Sequence, residues 1–197
     1  MWSGAIRVPP HLPGMKRRLL LTAMLPLMAR PARATPALGL LAEGDHLGIM
    51  RHAIAPGTGD PPGFRLGECA TQRNLSEDGR AQARAIGARL RAVGIAEARV
   101  LTSQWCRAQE TAALLGLAPP QDLPLLTSFF AERGEGPART AALRAWIAAA
   151  PPGPPLLLVS HQVNITALTG VFPAPGEIVL LRREGTTLAV AGRVPPG

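Results

Sequence analysis

"LGIMRHAIAPG", Leu47 to Gly57, is the stretch whose reading decides the fold. An apolar run reaches Met50 and then meets Arg51 and His52, where a loop rich in proline and glycine begins. His46 to Arg51 reads as a short strand with apolar residues on both faces, the pattern of a strand buried inside a sheet. The loop that follows, Ala53 to Thr71, holds Pro56, Pro61 and Pro62 with Gly57, Gly59, Gly63 and Gly67. An irregular segment of that length inside a domain usually carries function.

Working outward, strand and helix alternate. In "NLSEDGRAQARAIGARLRAVGI", Ser76 is a helix N-cap and Glu77 and Asp78 suit the positive end of the helix dipole. Ala83, Ile86, Leu90 and Val93 recur at helical spacing, and Gly94 ends the helix. Arg80, Arg84, Arg89 and Arg91 fall largely on the other, solvated side. "RVLTS", Arg99 to Ser103, is a second strand, followed by a helix from about Gln104 to Leu115. "LAPPQDLP" is a loop, and a helix over 137–149 presents Leu143, Trp146 and Ile147 on one side. "LLLVSH", Leu156 to His161, is a fully apolar strand, and a short helix from Gln162 to Thr169 stops at Gly170. Strands near 177–181 and 187–191 close the sheet. Continuous apolar strands alternating with helices imply an α/β fold, a three-layer α/β/α sandwich with a mostly parallel central sheet.

The formal charge of +8 belongs mostly to the N-terminal segment. Residues 1–34 carry Arg7, Lys16, Arg17, Arg18, Arg30 and Arg33 and no acid, so the remainder sets 15 arginines against 13 acids. A nearly balanced domain does not point to nucleic acid as a partner. "MKRRLLLTAMLPLMARPARA", Met15 to Ala34, has a charged start, an apolar stretch from Leu19 to Ala29, and small residues at Ala32 and Ala34 before Thr35. These are the three parts of a cleavable export signal, with Met15 a candidate start. The arginine pair also permits twin-arginine export in place of the general secretory route. The apolar stretch falls short of the ~20 residues a membrane-spanning helix needs, so no stable span remains after cleavage. The expected organisation is a leader over 1–34 and one domain over 35–197. In an oxidising compartment Cys69 and Cys106 either pair or stay as two separate thiols.

Ligands of open α/β sheets bind beyond the carboxyl ends of the strands. Those ends carry Arg51-His52, Thr102-Ser103 with Arg107 just beyond, and Ser160-His161. Two arginines repel a metal cation, and neither His-x-x-x-His nor Cys-x-x-Cys occurs, so no metal or other cofactor is expected. A serine hydrolase's Gly-x-Ser-x-Gly elbow is absent as well. Arginine forks match phosphate oxygens, and a helix N-terminus at Ser103 would add backbone donors. An imidazole in such cationic surroundings stays neutral and nucleophilic.

At these residues the chain resembles the histidine phosphatase superfamily, with its phosphoglycerate-mutase-like fold. "RHA" at Arg51 to Ala53 stands where the family has Arg-His-Gly. "LSEDG" (Leu75 to Gly79), "SQWCRAQET" (Ser103 to Thr111) and "LLLVSH" follow in the family's order. The resemblance implies a metal-independent phosphatase in which His52 is the phosphorylated nucleophile. Arg51, Arg107 and His161 would hold the phosphoryl group, with Ser103 beside them. Two departures stand out. Alanine at position 53 would be strained if that site needs a positive φ. Ser128 falls where many relatives carry an acidic proton donor, which leaves Glu132, Glu135 or Asp60 as candidates, with Glu132 equally readable as a solvated loop residue. A Cys69–Cys106 disulfide would staple the loop over the pocket. The expected substrate is a phosphorylated small molecule or a phosphorylated glycan or lipid of the cell envelope. The alternative is a protein of the same fold that binds a phosphorylated ligand without turning it over.

The leader reading has a direct check. Protein recovered from the periplasm or medium of an exporting bacterial host should begin at Thr35 by intact mass. A secreted product that retains residues 15–34 would overturn it.

Overall fold

The computed structural model describes Met1, Gly4 and residues 37–197, and in it the opening stretch forms strand β1 (His46–Arg51). Apart from Met1 and Gly4, the leader, its cleavage point and Thr35 lie outside the described residues. Residues 37–197 fall within one compact unit. Leu47, Ile49 and Met50 are fully buried, so β1 has apolar cover on both faces. It is the centre of a six-stranded sheet with β2 (Arg99–Thr102), β3 (Gln121–Asp122), β4 (Leu156–Ser160), β5 (Ile178–Glu184) and β6 (Thr187–Val194), in the order β3-β2-β4-β1-β5-β6. β1, β2, β3 and β4 run parallel, while β5 joins β1 antiparallel and pairs with β6 as a hairpin. β3 lies in the segment expected to be a loop. Its two residues add only a short edge, too little for a hydrophobic pattern to reveal.

Two apolar layers flank the sheet. On one face α1 (Glu77–Ala92) and α2 (Cys106–Leu114) bring Ile86, Leu90, Ala108 and Ala112 against Met50, Leu157 and Val159. A 3-10 turn at Ala37–Ala42 adds Leu38 and Leu41 to that layer. On the other face α3 (Gly136–Ala149) and α4 (Gln162–Thr169) set Leu143, Ile147, Ile165 and Leu168 against Leu47, Ile49 and Leu158. This is the three-layer α/β/α sandwich. Among the described residues no helix is long and apolar enough to cross a membrane.

The caps explain the helix ends. Ser76 accepts the Gly79 N–H at 3.1 Å, as its sequence position implies, and Gly94 leaves the helix at φ +91. α2 starts at Cys106, two residues later than the periodicity suggests. Trp105 remains extended, and the Cys106 N–H is taken at 3.0 Å by Gln72 Oε1, a side chain from the long loop. Cys69 and Cys106 are disulfide-bonded, with Cα atoms 5.6 Å apart. The long loop is thereby tied to the first turn of α2 both covalently and through a buried amide.

α1 crosses α2 at very short range. A Cβ on Gly87 would lie 2.0 Å from the Leu115 carbonyl oxygen, and one on Gly79 would lie 2.1 Å from that of Ile54. Helix propensity alone favours alanine over an interior glycine by about 1 kcal/mol. Gly87→Ala should show the opposite sign, a loss of about 1–3 kcal/mol in urea unfolding, because the helices must move apart. A stabilised Gly87→Ala variant would contradict this packing.

Candidate active site

Strand register assembles the site. Arg51 pairs with Ser160 across β1 and β4, and Thr102 pairs with Val159 across β2 and β4. The residues just past these pairs are therefore neighbours. The His52 N–H donates to the Ser160 carbonyl at 2.9 Å, and the Ser103 N–H donates to that of Val159 at 3.0 Å. His52 and His161 meet edge to face, with ring centroids 5.4 Å apart. Arg51, His52, Arg107 and His161 line one cavity of about 620 Å³, together with Asp60, Arg73 and Trp105.

The chain just past His52 is held on three sides. The Ala53 N–H donates to Thr111 Oγ1 at 3.0 Å, and that hydroxyl donates to the Arg107 carbonyl at 2.6 Å. The Ile54 N–H donates to Gln82 Oε1 at 3.1 Å, and the Ile54 carbonyl accepts the Ser76 N–H at 3.1 Å. Leu75 and Ala83 pack on Ala53. Thus Leu75, Ser76, Gly79 and Thr111, the motif residues without evident chemistry, are those that fix the strand end carrying His52. Every described residue with a positive φ is glycine, so Ala53 carries none of the strain its sequence position suggested.

His52 is poised in one tautomer. Its Nδ1 lies 2.8 Å from the Ala53 carbonyl, which can only accept, so Nδ1 carries the proton and Nε2 the lone pair. Burial, reinforced by Arg107, Arg73 and Arg51, lowers its pKa to about 3. His161 is held well below the usual imidazole range, first by burial and then by His52 and the same arginines. Its Nε2 is 2.7 Å from Ser103 Oγ. Ser103 Oγ also accepts the Trp105 N–H at 3.3 Å. Ser103 is fully buried. The expected helix N-terminus at this residue is thus replaced by a hydroxyl that orients His161. His161 Nδ1, Arg51 Nε and Arg107 Nε are buried nitrogens without a partner among the described residues.

Arg73 is a pocket arginine that the sequence reading passed over. Its Nε donates to the Gly59 carbonyl at 2.7 Å and its NH1 to that of Ala55. Burial, followed by the charge of Arg107, lowers its pKa to about 10. Burial and Arg107 likewise lower that of Arg51. Asp60 faces this cationic group. Both its oxygens bond Arg107, at 2.7 and 3.1 Å, and it accepts the Trp105 indole N–H at 3.1 Å and the Arg73 amide at 3.2 Å. Burial alone would raise its pKa, but the bonds and charge of Arg107, aided by Trp105 and Arg73, hold it below the ordinary value. Glu132 lines the outer rim, where its exposed carboxylate sits 3.2 Å from Arg139, and Glu135 shares that arginine at 2.6 Å. Three guanidiniums therefore face one carboxylate inside the cavity, an imbalance suited to a doubly charged anion. Among the described residues, three metal-type ligand atoms come within 4.8 Å of one another only at Glu43, Asp45 and His46. That group sits at the start of β1, the end of the strand away from His52.

Comparison with known proteins agrees with this fold. The model of the histidine phosphatase superfamily (branch 1) matches residues 65–137. No curated protein matches the sequence. Among solved structures, the protein histidine phosphatase SixA in complex with tungstate superposes with a TM-score of 0.55 at 19% identity, over 77% of this chain and 97% of that one. SixA from Agrobacterium tumefaciens gives 0.53 at 19% identity, over 78% and 99%. A mycobacterial glucosyl-3-phosphoglycerate phosphatase gives 0.51 at 18% identity, over 75% and 97%. The matched segment is thus similar to the histidine phosphatase superfamily, and the fold as a whole is similar to that of these solved phosphatases.

The neutral histidines couple stability to pH. Their folded pKa values lie below the unfolded value, so their contribution is complete above about pH 6.5. It is lost as pH falls below that value, for His52 towards about 3, because only the unfolded chain binds the protons. Urea unfolding should lose about 1 kcal/mol per pH unit from His52 over that range, with a further loss of the same sign from His161. His52→Gln should flatten the slope, and an unchanged slope in that variant would contradict the neutral assignment.

Proposed function

We propose that this protein is an exported phosphatase that transfers the phosphoryl group of a phosphomonoester to His52 and then to water. One observation carries the reading. His52 is buried and neutral, and it presents the Nε2 lone pair to a cavity with an excess of arginine. A site that only bound anions would gain nothing from a lone pair held there. Attack of Nε2 on phosphorus forms the N–P bond as the ester P–O bond breaks, and the leaving oxygen takes a proton. Arg51 and Arg107, with His161 beside them, stabilise the charge on the transferring group. No step requires a metal ion.

The cavity is larger than a phosphoryl group requires. Phe64 stacks on Trp105 with ring centroids 5.1 Å apart, and Leu66 and Phe130, both exposed, line the same cavity and form an apolar wall with them in this reading. This supports a phosphorylated small molecule, or a phosphorylated envelope glycan or lipid, whose leaving group rests on that wall. The solved relatives named for phosphohistidine and glucosyl-phosphoglycerate chemistry are consistent with phosphorylated ligands in general. The disulfide supports an oxidising compartment outside the cytosol, as does the leader sequence.

Single-turnover labelling tests the reading. With a 32P-labelled phosphomonoester, wild type should acquire an acid-labile, base-stable phosphate that maps to His52, and His52→Ala should acquire none. Absence of label, together with absence of aryl phosphatase activity between pH 4 and 8, would overturn it in favour of a phospho-ligand binding protein.

A further inference from the structure

Asp60 occupies an unexpected position. In a cavity built to receive an anion, its carboxylate already holds both terminal nitrogens of Arg107. An Arg fork recognises a carboxylate and a phosphate with the same paired geometry. The carboxylate is therefore seated where two phosphoryl oxygens would bind. Its side chain is 17% exposed, so the contact is shielded from solvent.

We propose that Asp60 yields its place on Arg107 to the substrate's phosphoryl oxygens and then serves as the proton carrier for the leaving group. This rests on the phosphatase reading given above. The backbone argues for movement of the side chain alone. Arg73 grips the carbonyls of Ala55 and Gly59, the Phe64 ring is stacked on Trp105, and the disulfide anchors the far end of the loop. Asp60 itself stands between Gly59, at φ +71, and Pro61. A rotated carboxylate thus remains in the cavity, beside a phosphoryl dianion rather than on a guanidinium. That exchange of neighbours favours its protonated form.

The protons balance. The ester arrives as the monoanion, or the complex takes one proton from solvent, and Asp60 holds it. As the His52 Nε2–P bond forms and the ester P–O bond breaks, Asp60 gives that proton to the departing oxygen and the alcohol leaves. In the second half, the Asp60 carboxylate removes a proton from water as the water oxygen bonds to phosphorus and the Nε2–P bond breaks. Phosphate leaves, Asp60 releases the proton to solvent, and the carboxylate returns to Arg107. Glu132, at the exposed rim on Arg139, has no contact with the phosphoryl clamp comparable to this one.

The test compares wild type, Asp60→Asn, Asp60→Glu and Glu132→Gln, each confirmed folded by circular dichroism. Substrates are 4-nitrophenyl phosphate and a simple alkyl phosphate, and inorganic phosphate binding is followed by Trp105 fluorescence. Asp60→Asn should lower kcat/KM on the alkyl ester by about 10²–10⁴-fold, and far less on the aryl ester, whose leaving group needs little proton assistance. It should also bind inorganic phosphate at least about fivefold more tightly, because the competing carboxylate is gone. Asp60→Glu should recover part of the alkyl rate. Equal losses on both esters with unchanged phosphate affinity would overturn the proposal, as would an alkyl-selective loss in Glu132→Gln but not in Asp60→Asn. Absence of aryl turnover by wild type would instead remove the phosphatase reading, and the proton role with it. Phosphate affinity would then decide the exchange on Arg107 by itself.

Discussion

Everything at the site depends on one register. The His52 amide donates to the Ser160 carbonyl, and this places the ends of β1 and β4 side by side. A slip of one residue would exchange the two faces of β1, sending Met50 into the layer that holds Leu47 and Ile49. It would also carry His52 away from His161. The two apolar layers therefore do more than stabilise the sheet. By fixing which face of β1 each side chain occupies, they fix where the imidazole stands relative to the arginines.

The strand end is then immobilised by residues that take no part in chemistry. Thr111 links the Ala53 amide to the Arg107 carbonyl, so the segment just past His52 and the helix turn that carries Arg107 share a single hydroxyl. Gly79 lets the first turn of α1 lie directly on Ile54. On the far side the Gly176 N–H donates to the Arg51 and His52 carbonyls, at 3.2 Å to each. Rigid support of this kind allows a neutral histidine to sit among cations without rearranging to reach solvent. It also gives a physical reason for motif positions that a chemical reading leaves unexplained.

Much of this was legible in the sequence, because the relevant signals are local. The bounds of β1 and α4, the Ser76 cap and the placement of Arg51, His52, Arg107 and His161 at one rim follow from periodicity and from the rule for strand ends. What escaped depends on contacts distant in sequence. Gln72 caps a helix that begins 34 residues later, so nothing near Cys106 announces where α2 starts. Arg73 lies beside Asn74 and reads as loop polarity until the fold turns it inward. Ser103 looks like the start of a helix, yet its hydroxyl is spent on His161 across the sheet. Asp60 stood among several acidic candidates, and only the folded loop sets it apart by joining it to Arg107.

The bond between His52 Nδ1 and the carbonyl of the next residue has a regiochemical consequence. An imidazole in water offers either nitrogen to an electrophile and gives a mixture of two isomers. Here one nitrogen is committed to the main chain before any ligand enters, and burial, reinforced by Arg107, Arg73 and Arg51, keeps the ring from taking up a second proton. Phosphorylating and alkylating reagents alike are therefore steered to a single position on the ring. The main chain thus makes His52 regioselective.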